Sequence, residues 1–376
     1  MVKVLGIDPG TRSFDFCGLK DGSVFYEKVI DTLEVAEKPE ILVKAVEEVM
    51  PLDLIVGPSG YGIKITYLSK IAPDKVEDWY LKNILLLRKK DFEKALKRKE
   101  IGMMVYSAMT KTAVTMRMKN WNVVYIPGVI HLPTVPKHRK LNKIDMGTAD
   151  KMCIAVLGVY DQSRRWKVPY SDVSFILVEM GFGYNAVVGV EKGRIVDGIG
   201  GTTGGMGFLT IGSVDAEFVQ LGGSWEKSDI FYGGVASVSG KMVPEEVLEN
   251  IGRDELCKAA WDAMVENVVK NVKAMTVSVP NPKEILISGR LTRINVVKDL
   301  LIEKLGNIAE VKEVGYLEGV KNVKEAAQGY AMVADGLAGG KFKDLIEWMK
   351  IKEAEDFILD YIYHPKIKDI RNLFKS

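Results

Sequence analysis

Hydrophobic and polar residues follow the same order in two stretches of the chain, Val2–Phe25 and Val173–Val196. Each stretch opens with an apolar run that ends at an acidic residue, and a glycine follows two positions later. A polar turn, a second apolar run, a glycine turn and a third apolar run complete the pattern. Short apolar runs separated by turn residues predict three consecutive strands, a meander, in each stretch.

The two meanders superimpose without a gap when one is shifted by 171 positions (179 − 8). Asp8 then falls on Glu179, and Gly10 falls on Gly181. A turn of free backbone N–H groups beside a carboxylate suits a phosphate with its metal ion. One such turn alone is equally well a hairpin with glycine in its loop. The gapless repeat favours two related turns that hold a nucleotide from both sides.

Each meander is followed by the pattern helix, strand, helix, strand, helix, so the chain predicts a duplicated α/β domain. The expected fold has two mixed five-stranded sheets flanked by helices, with a cleft between the domains. The predicted boundaries are residues 1–170, with a charged helical insert at about 74–119, then 171–340, and then C-terminal helices at 341–376 that pack back on the body.

Three loops are too rich in glycine or proline to be ordinary connections: Gly57–Gly62, Pro127–Asp150 and Gly198–Gly207. Glycine costs folding entropy, so its concentration indicates backbone contact with a ligand or a moving segment. A purely structural turn remains the alternative for Gly57–Gly62. The second loop carries two of the three histidines of the chain, which either act in a site or only bond to backbone.

Composition narrows the function further. The 376 residues carry a net charge of only +2, which argues against nucleic acid as the main partner. The three cysteines are far apart, so they form no disulfide framework and no zinc site, and a reducing compartment is expected. The first strand begins at the N-terminus and no run approaches the ~18 apolar residues of a membrane span. We therefore expect a cytoplasmic protein without a membrane partner.

The motifs resemble those of the actin-like ATPases, a superfamily with a ribonuclease-H-like fold that includes sugar kinases, acetate and butyrate kinases and heat-shock-70 chaperones. Five segments are similar to its two phosphate motifs, its adenosine motif and its two connecting helices: Gly6–Thr11, Val178–Gly183, Ile285–Arg290, Thr148–Tyr160 and Glu325–Ala331. The turn Gly193–Asp197 with its following Gly-rich loop is similar to the butyrate and acetate kinases. The whole chain resembles an archaeal family of unknown function that is labelled a predicted butyrate kinase.

The resemblance implies a phosphotransferase that uses ATP and Mg²⁺, with Asp8 and Glu179 as metal ligands. The residues that it implies for nucleotide binding are Gly10, Thr11, Arg12, Glu179, Gly181, Gly183, Gly201, Thr202, Ser288, Gly289 and Arg290. Two positions depart from the superfamily pattern. Position 179 is Glu where Asp is usual, and Ser288-Gly289 stands where Gly-Gly is common. These departures make nucleotide binding a firmer expectation than phosphoryl transfer.

Catalytic candidates are Asp8, Asp145, His138 and Arg139. Several sugar kinases place a catalytic base just before the first connecting helix, where Asp145 stands, to take the proton from a hydroxyl acceptor. Asp150 competes as an acid favoured by the dipole of that helix. His138 and Arg139, together with Arg12, are candidates for the positive charge that phosphoryl transfer requires.

The expected partner is a small-molecule acceptor, with a short-chain carboxylic acid in first place; the acceptor pocket is expected from Gly57–Gly62 and Pro127–Arg139. The alternative is a regulatory ATPase that acts on a protein partner, although no separate peptide-binding domain is evident. A junction-resolving nuclease shares the opening Gly6–Gly10 but needs a basic surface and one copy of the fold. The dehydratase activators of this fold need bridging cysteines that the chain lacks. A homodimer and the direction of transfer stay open.

Overall fold

A computed structural model describes residues 1–374; residues 375 and 376, at the end of the predicted C-terminal segment 341–376, lie outside the described residues. The first 170 residues form the strands β1 Lys3–Pro9, β2 Ser13–Lys20, β3 Ser23–Asp31, β4 Leu54–Val56, β5 Thr66–Tyr67 and β6 Val123–Tyr125. The helices of this part are α1 Thr32–Glu37, α2 Glu40–Glu47, α3 Val76–Asn83, α4 Lys89–Lys97, α5 Ile101–Met118, α6 Lys137–Lys140 and α7 Ala149–Trp166.

The strands of the later part are β7 Phe175–Met180, β8 Asn185–Glu191, β9 Arg194–Ile199, β10 Glu284–Ser288 and β11 Glu310–Glu313. Its helices up to residue 314 are α8 Ala216–Gly222, α9 Val235–Ser239, α10 Pro244–Asn250, α11 Glu255–Met275 and α12 Asn295–Leu305. The last helices are α13 Glu325–Leu337, α14 Lys343–Trp348 and α15 Ile367–Phe374. No helix in the described part of the chain is long and apolar enough to cross a membrane.

The chain divides into two compact units that do not follow chain order. Unit 1 is built from residues 1–144, 148–170 and the segment that begins at 315. Unit 2 is built from the short segment Asp145–Gly147 and from Ser171–Val314. Helix α13, at the end of the predicted domain 171–340, therefore belongs to unit 1.

The sheet of unit 1 has the strand order β3-β2-β1-β4-β6-β5. Strands β1, β4 and β6 run parallel, while β2, β3 and β5 pair antiparallel with their neighbours. The expected five strands are present, and the two-residue strand β5 adds a sixth at the edge. One face packs against α2, α3 and α5, so the helical insert predicted at about 74–119 contributes α3 and α5 to this core.

The sheet of unit 2 has five strands in the order β11-β10-β7-β8-β9. Strands β10 and β11 run parallel to β7, and β8 and β9 return antiparallel. The long helix α11 covers one face, with Ala260, Met264 and Val268 fully buried against the strands. The mixed α/β fold with two helix-flanked sheets is therefore confirmed.

The sequence repeat is preserved in backbone detail. The turn between β2 and β3 has Asp21 at φ 50° and Gly22 at φ 75°, and the turn between β8 and β9 has Lys192 at φ 51° and Gly193 at φ 66°. Two consecutive positive φ angles define the hairpin turn that matches strand twist and favours glycine. A bulge lies at Gly18/Leu19 in one sheet and at Gly189/Val190, 171 positions later (189 − 18), in the other. The two meanders thus share register, turn type and bulge.

Helix α13 crosses both β1 and α7 inside unit 1, and small residues make these crossings possible. A Cβ atom at Gly329 would lie 2.1 Å from the carbonyl oxygen of Cys153 on α7. A Cβ atom at Gly6 on β1 would lie 2.3 Å from the backbone nitrogen of Ala331. Real Cβ contacts do not reach such distances, so the backbones can meet only at glycine.

Two local predictions need correction. A threonine directly before a helix predicts an N-cap, and Thr148 does precede α7, but its hydroxyl donates to Asp150 and makes no cap bond to the helix backbone. The segment Pro127–Asp150 was predicted as loop alone, but it contains the 3₁₀ turn Val129–His131 and the short helix α6. Local side-chain bonding competes with capping for residues such as threonine, which accounts for the first difference.

Candidate functional site

The first acid–glycine turn lies between β1 and β2, as the sequence predicts. Asp8 stands next to last in β1 and pairs across the antiparallel ladder with Asp15 of β2. Directly opposed residues place their side chains on the same face of a sheet. Both carboxylates are buried, with only 3% of Asp8 and 1% of Asp15 exposed. Thr11 and Arg12 are exposed at the tip of the turn.

A lysine that was not predicted from the sequence lies against this acid pair and offsets part of its charge. The ammonium Nζ of Lys324, the residue before α13, lies 3.1 Å from Asp8 Oδ2 and 3.4 Å from Asp15 Oδ1. It also donates to the carbonyl oxygen of Ser13 at 3.2 Å. Burial lowers the pKa of Lys324, but the two carboxylates outweigh it and the net shift is upward, so the lysine stays charged.

The electrostatics of Asp8 reflect its burial. Burial raises the pKa of Asp8 to about 6, although the charge of Lys324 pulls it down. Asp150 lies near enough for its charge to raise the pKa of Asp8 further. Burial also opposes ionisation of Asp150, but its ion pair with Lys151, at 2.6 Å, keeps its pKa below the usual value. The structure thus places the half-buried Asp150 near the buried carboxylates Asp8 and Asp15, and two lysines partly neutralise the three charges.

The second acid–glycine turn lies in unit 2, after β7. Glu179 is buried with 7% of its surface exposed, and it pairs with Ser288 of the neighbouring strand β10. The backbone N–H of Gly181 donates to the carbonyl oxygen of Tyr184 at 2.9 Å. Gly289 follows Ser288 with φ 100°, and a Cβ atom there would lie 2.7 Å from Glu179 Oε1. Glu179, Gly181, Ser288 and Gly289 therefore meet in one place.

The Gly-rich loop after β9 packs on this second turn. The carbonyl oxygen of Gly183 accepts hydrogen bonds from the backbone N–H and the hydroxyl of Thr210, at 3.2 and 2.9 Å. A Cβ atom at Gly201 would lie 2.3 Å from the ring of Tyr184. The predicted binding residues Gly181, Gly183 and Gly201 are thus neighbours within unit 2.

Asp145 belongs to unit 2 and holds the same Gly-rich loop. Its carboxylate accepts hydrogen bonds from the backbone N–H groups of Gly147 (2.9 Å) and Thr202 (3.1 Å) and from the Thr202 hydroxyl (3.3 Å). Its carbonyl oxygen accepts from the hydroxyl of Thr203 at 2.8 Å. These contacts bring the predicted residues Asp145 and Thr202 together, in an arrangement that anchors a loop.

The two loops predicted to form an acceptor pocket adjoin each other in unit 1. The buried hydroxyl of Ser59 donates to Gly57 O and accepts from the N–H of Ile126, which leads into the second loop. Farther along the second loop, His138 is exposed and Arg139 is half-buried on α6. The next residue, Lys140, donates to Leu132 O at 2.8 Å and contacts the Tyr361 hydroxyl at 3.2 Å. The end of helix α6 thus packs against the C-terminal segment.

Burial of His131 makes the stability of the protein depend on pH. It is only 1% exposed, and burial lowers its pKa from 6.5 to about 4, with Lys140 acting in the same direction and the Gly128 backbone and Asp356 opposing it. Below pH 6.5 the unfolded chain therefore binds a proton at this histidine that the folded chain excludes. The stabilisation is fully present above pH 6.5 and is lost as the pH falls towards 4.

Between pH 7 and pH 5 we expect the wild-type protein to lose about 2 kcal/mol more unfolding free energy than a His131→Phe variant. Denaturant unfolding at the two pH values measures the difference. Equal pH slopes for the two proteins would show that His131 is protonated in the folded state as readily as in the unfolded one.

The acid pair at the first turn does not fit a divalent metal ion in the geometry observed. Mg²⁺ needs oxygen ligands at about 2.0–2.1 Å in an octahedron. The oxygens of Asp8 and Asp15 instead face the ammonium group of Lys324. Within residues 1–374, no three His, Cys, Asp or Glu side chains gather in a way that would hold a metal ion.

Solved structures share the fold of this chain. A propionate kinase from Francisella tularensis aligns with a TM-score of 0.58 and 13% identity over 88% of this chain and 98% of its own. Acetate kinases from Entamoeba histolytica and Porphyromonas gingivalis align with TM-scores of 0.54 and 0.53 and identities of 12% and 14%. The alignment with the Entamoeba histolytica enzyme covers 81% of this chain and 86% of that enzyme, and the alignment with the Porphyromonas gingivalis enzyme covers 82% and 88%. These alignments show that the chain shares the fold of these acetate and propionate kinases, as the sequence resemblance predicts.

Sequence comparison assigns the chain to a family. No protein with curated annotation matches it significantly. One family model, described as "Protein of unknown function (DUF1464)", matches residues 6–364. Because this match spans nearly the whole sequence, the chain belongs to the DUF1464 family.

Proposed function

We propose that this protein is an ATP-dependent phosphotransferase and that its acceptor is a short-chain carboxylic acid. The observation that carries the proposal is the repeated acid–glycine turn at the ends of β1 and β7, in a fold shared with acetate and propionate kinases. Backbone N–H groups at such turns bind phosphate oxygens. We assign the phosphates to Gly10–Arg12 and Gly181–Gly183, and the adenosine to Ser288–Arg290.

The bonding of Asp145 supports a carboxylate acceptor over a hydroxyl acceptor. In the proposed reaction a carboxylate oxygen forms a bond to the γ-phosphorus of ATP while the bond from that phosphorus to the bridging oxygen breaks. The electron pair of the broken bond leaves with ADP, and an acyl phosphate forms. A carboxylate acceptor has no proton to remove, whereas a hydroxyl acceptor needs a base. Asp145 already accepts three hydrogen bonds that hold the Gly-rich loop, which suits a positioning role.

Phosphoryl transfer needs positive charge near the phosphates. Mg²⁺ that accompanies ATP as part of the substrate would supply some of this charge. Lys324 is the chain's own positive charge at the first turn, and Arg12 lies exposed at the tip of that turn.

Two measurements test the proposal. Calorimetric titration with ATP and Mg²⁺ should show micromolar binding. An Asp8→Ala variant should weaken it at least about tenfold, or about 1.4 kcal/mol, because Asp8 holds the ammonium group of Lys324 next to Gly10 of the turn assigned to phosphate. ADP release should then rise on addition of acetate, propionate or butyrate, and hydroxylamine should trap the acyl phosphate. Sugars at equal concentration serve as the matched hydroxyl acceptors.

Each negative result has a distinct meaning. Absence of ATP binding at millimolar concentration would overturn the phosphotransferase. Slow ADP release that no small acceptor stimulates would favour the regulatory ATPase. Stimulation by sugars alone would overturn the carboxylate acceptor and return Asp145 to the role of base.

A further inference from the structure

The acid pair of the first turn already holds a cation that belongs to the chain. Lys324 Nζ faces Asp8 Oδ2, Asp15 Oδ1 and the carbonyl oxygen of Ser13, at 3.1, 3.4 and 3.2 Å. An ammonium group has three N–H donors, so three oxygens satisfy it. A Cβ atom at Gly10 would lie 2.2 Å from this Nζ, which places the charge directly beneath the turn.

The backbone before Lys324 is fixed as firmly as its side chain. The N–H of Lys324 donates to Asp15 Oδ2 at 2.9 Å. The carboxylate of Glu27 on β3 accepts hydrogen bonds from three consecutive backbone N–H groups, those of Lys321, Asn322 and Val323, at 3.0 to 3.2 Å. Helix α13 begins at the next residue and is buried along most of its length. The ammonium group is thus fixed by its own contacts and by the hydrogen bonds of the backbone that carries it, so it is not a mobile surface charge.

We propose that Lys324 takes the place of a divalent metal ion at the first turn, so that Asp8 and Asp15 are ligands of an ammonium group. Asp8 is then not a metal ligand, contrary to the role that the superfamily resemblance implies. The proposal deepens the proposed function and rests on it in one respect: it makes Lys324, in place of a metal ion, the cation next to the turn that we assign to phosphate. The claim that Lys324 excludes a metal ion concerns the nucleotide-free protein, so it can be tested whether or not the protein binds ATP.

Mn²⁺ is the probe for this site, because its binding is read directly by electron paramagnetic resonance. The nucleotide-free wild type is titrated beside Lys324→Ala, the double variant Lys324→Ala/Asp15→Asn, and the control Lys321→Ala. Lys321 is an exposed lysine three residues away, and its loss changes the net charge by the same amount. We expect no Mn²⁺ site that depends on Asp8 in the wild type or the control. Lys324→Ala should bind Mn²⁺ at a new site that depends on Asp8, with an affinity at least tenfold above any Mn²⁺ binding by the wild type, and the double variant should lack this site.

Melting temperature provides a second readout if Lys324→Ala folds poorly. A divalent ion that binds only the folded state raises the melting temperature. Mn²⁺ should therefore restore part of the melting temperature of Lys324→Ala and leave the double variant unchanged. Wild-type binding that an Asp8→Asn variant abolishes would overturn the proposal. Failure of Lys324→Ala to gain either Mn²⁺ binding or Mn²⁺-dependent stability would also overturn it. ATP titration is a separate experiment, so failure of the phosphotransferase leaves this outcome readable.

Discussion

A Lys324→Met variant should lose about 3 kcal/mol of unfolding free energy, because it leaves two buried carboxylates without their ammonium partner. Asp8 and Asp15 are 3% and 1% exposed, so water does not replace the lost charge. The value stands at the lower end of the range for buried pairs because 24% of the Lys324 side chain is exposed. Urea unfolding of both proteins at pH 7 measures the difference.

Lys28→Met is the matched control for this prediction. It removes a lysine from an ion pair with Glu48 in which the side chains are 34% and 47% exposed. Exposed pairs contribute about 0–1 kcal/mol. Lys324→Arg keeps the charge and should recover most of the loss. If Lys324→Met and Lys28→Met are equally stable, the buried ion pairs do not stabilise the fold.

A Gly329→Ala variant should lose about 2–3 kcal/mol, although alanine is the better helix former. The added Cβ would lie 2.1 Å from the carbonyl oxygen of Cys153 and 2.4 Å from its carbonyl carbon. Both atoms are backbone of α7, so relief requires the two helices to separate. Overpacking of this severity destabilises a protein by about 3 kcal/mol or more, whereas the higher helix propensity of alanine stabilises it by only about 1 kcal/mol.

Gly252→Ala is the control, because a Cβ atom there meets no heavy atom within 4 Å. It should change stability by less than about 0.5 kcal/mol. A stable Gly329→Ala protein with an unchanged melting temperature would show that α7 and α13 are not held at the observed spacing.

The meanders were predictable because their information is local. Apolar runs, turn glycines and an acid at a strand end are read from neighbouring residues, and the structure repeats them down to the paired turns Asp21-Gly22 and Lys192-Gly193. The hairpin register also allows a prediction that we did not make from the sequence. A turn at residues 10–12 places Asp8 opposite Asp15, so the second carboxylate was within reach of the sequence.

Lys324 was not within reach, because no local pattern connects it to a residue 309 positions earlier in the chain. The position of Lys324 depends on the path of the backbone before α13 and on the hydrogen bonds that this backbone donates to Glu27, and both are tertiary features. The same is true of Asp145. Its position before a helix indicated a catalytic base, whereas its bonds to Thr202, 57 positions later, indicate an anchor for the Gly-rich loop.

The arrangement of chain segments has a consequence for synthesis. Unit 2 is complete once residue 314 has been made, whereas unit 1 needs the segment that begins at 315, including the central helix α13. Until then, the strand β1 and the helix α7 lack the helix that covers them, and Asp8 and Asp15 lack their counter-ion. Unit 2 can therefore fold during synthesis before unit 1 does, and β1, although it is the first strand made, lacks its covering helix until α13 follows.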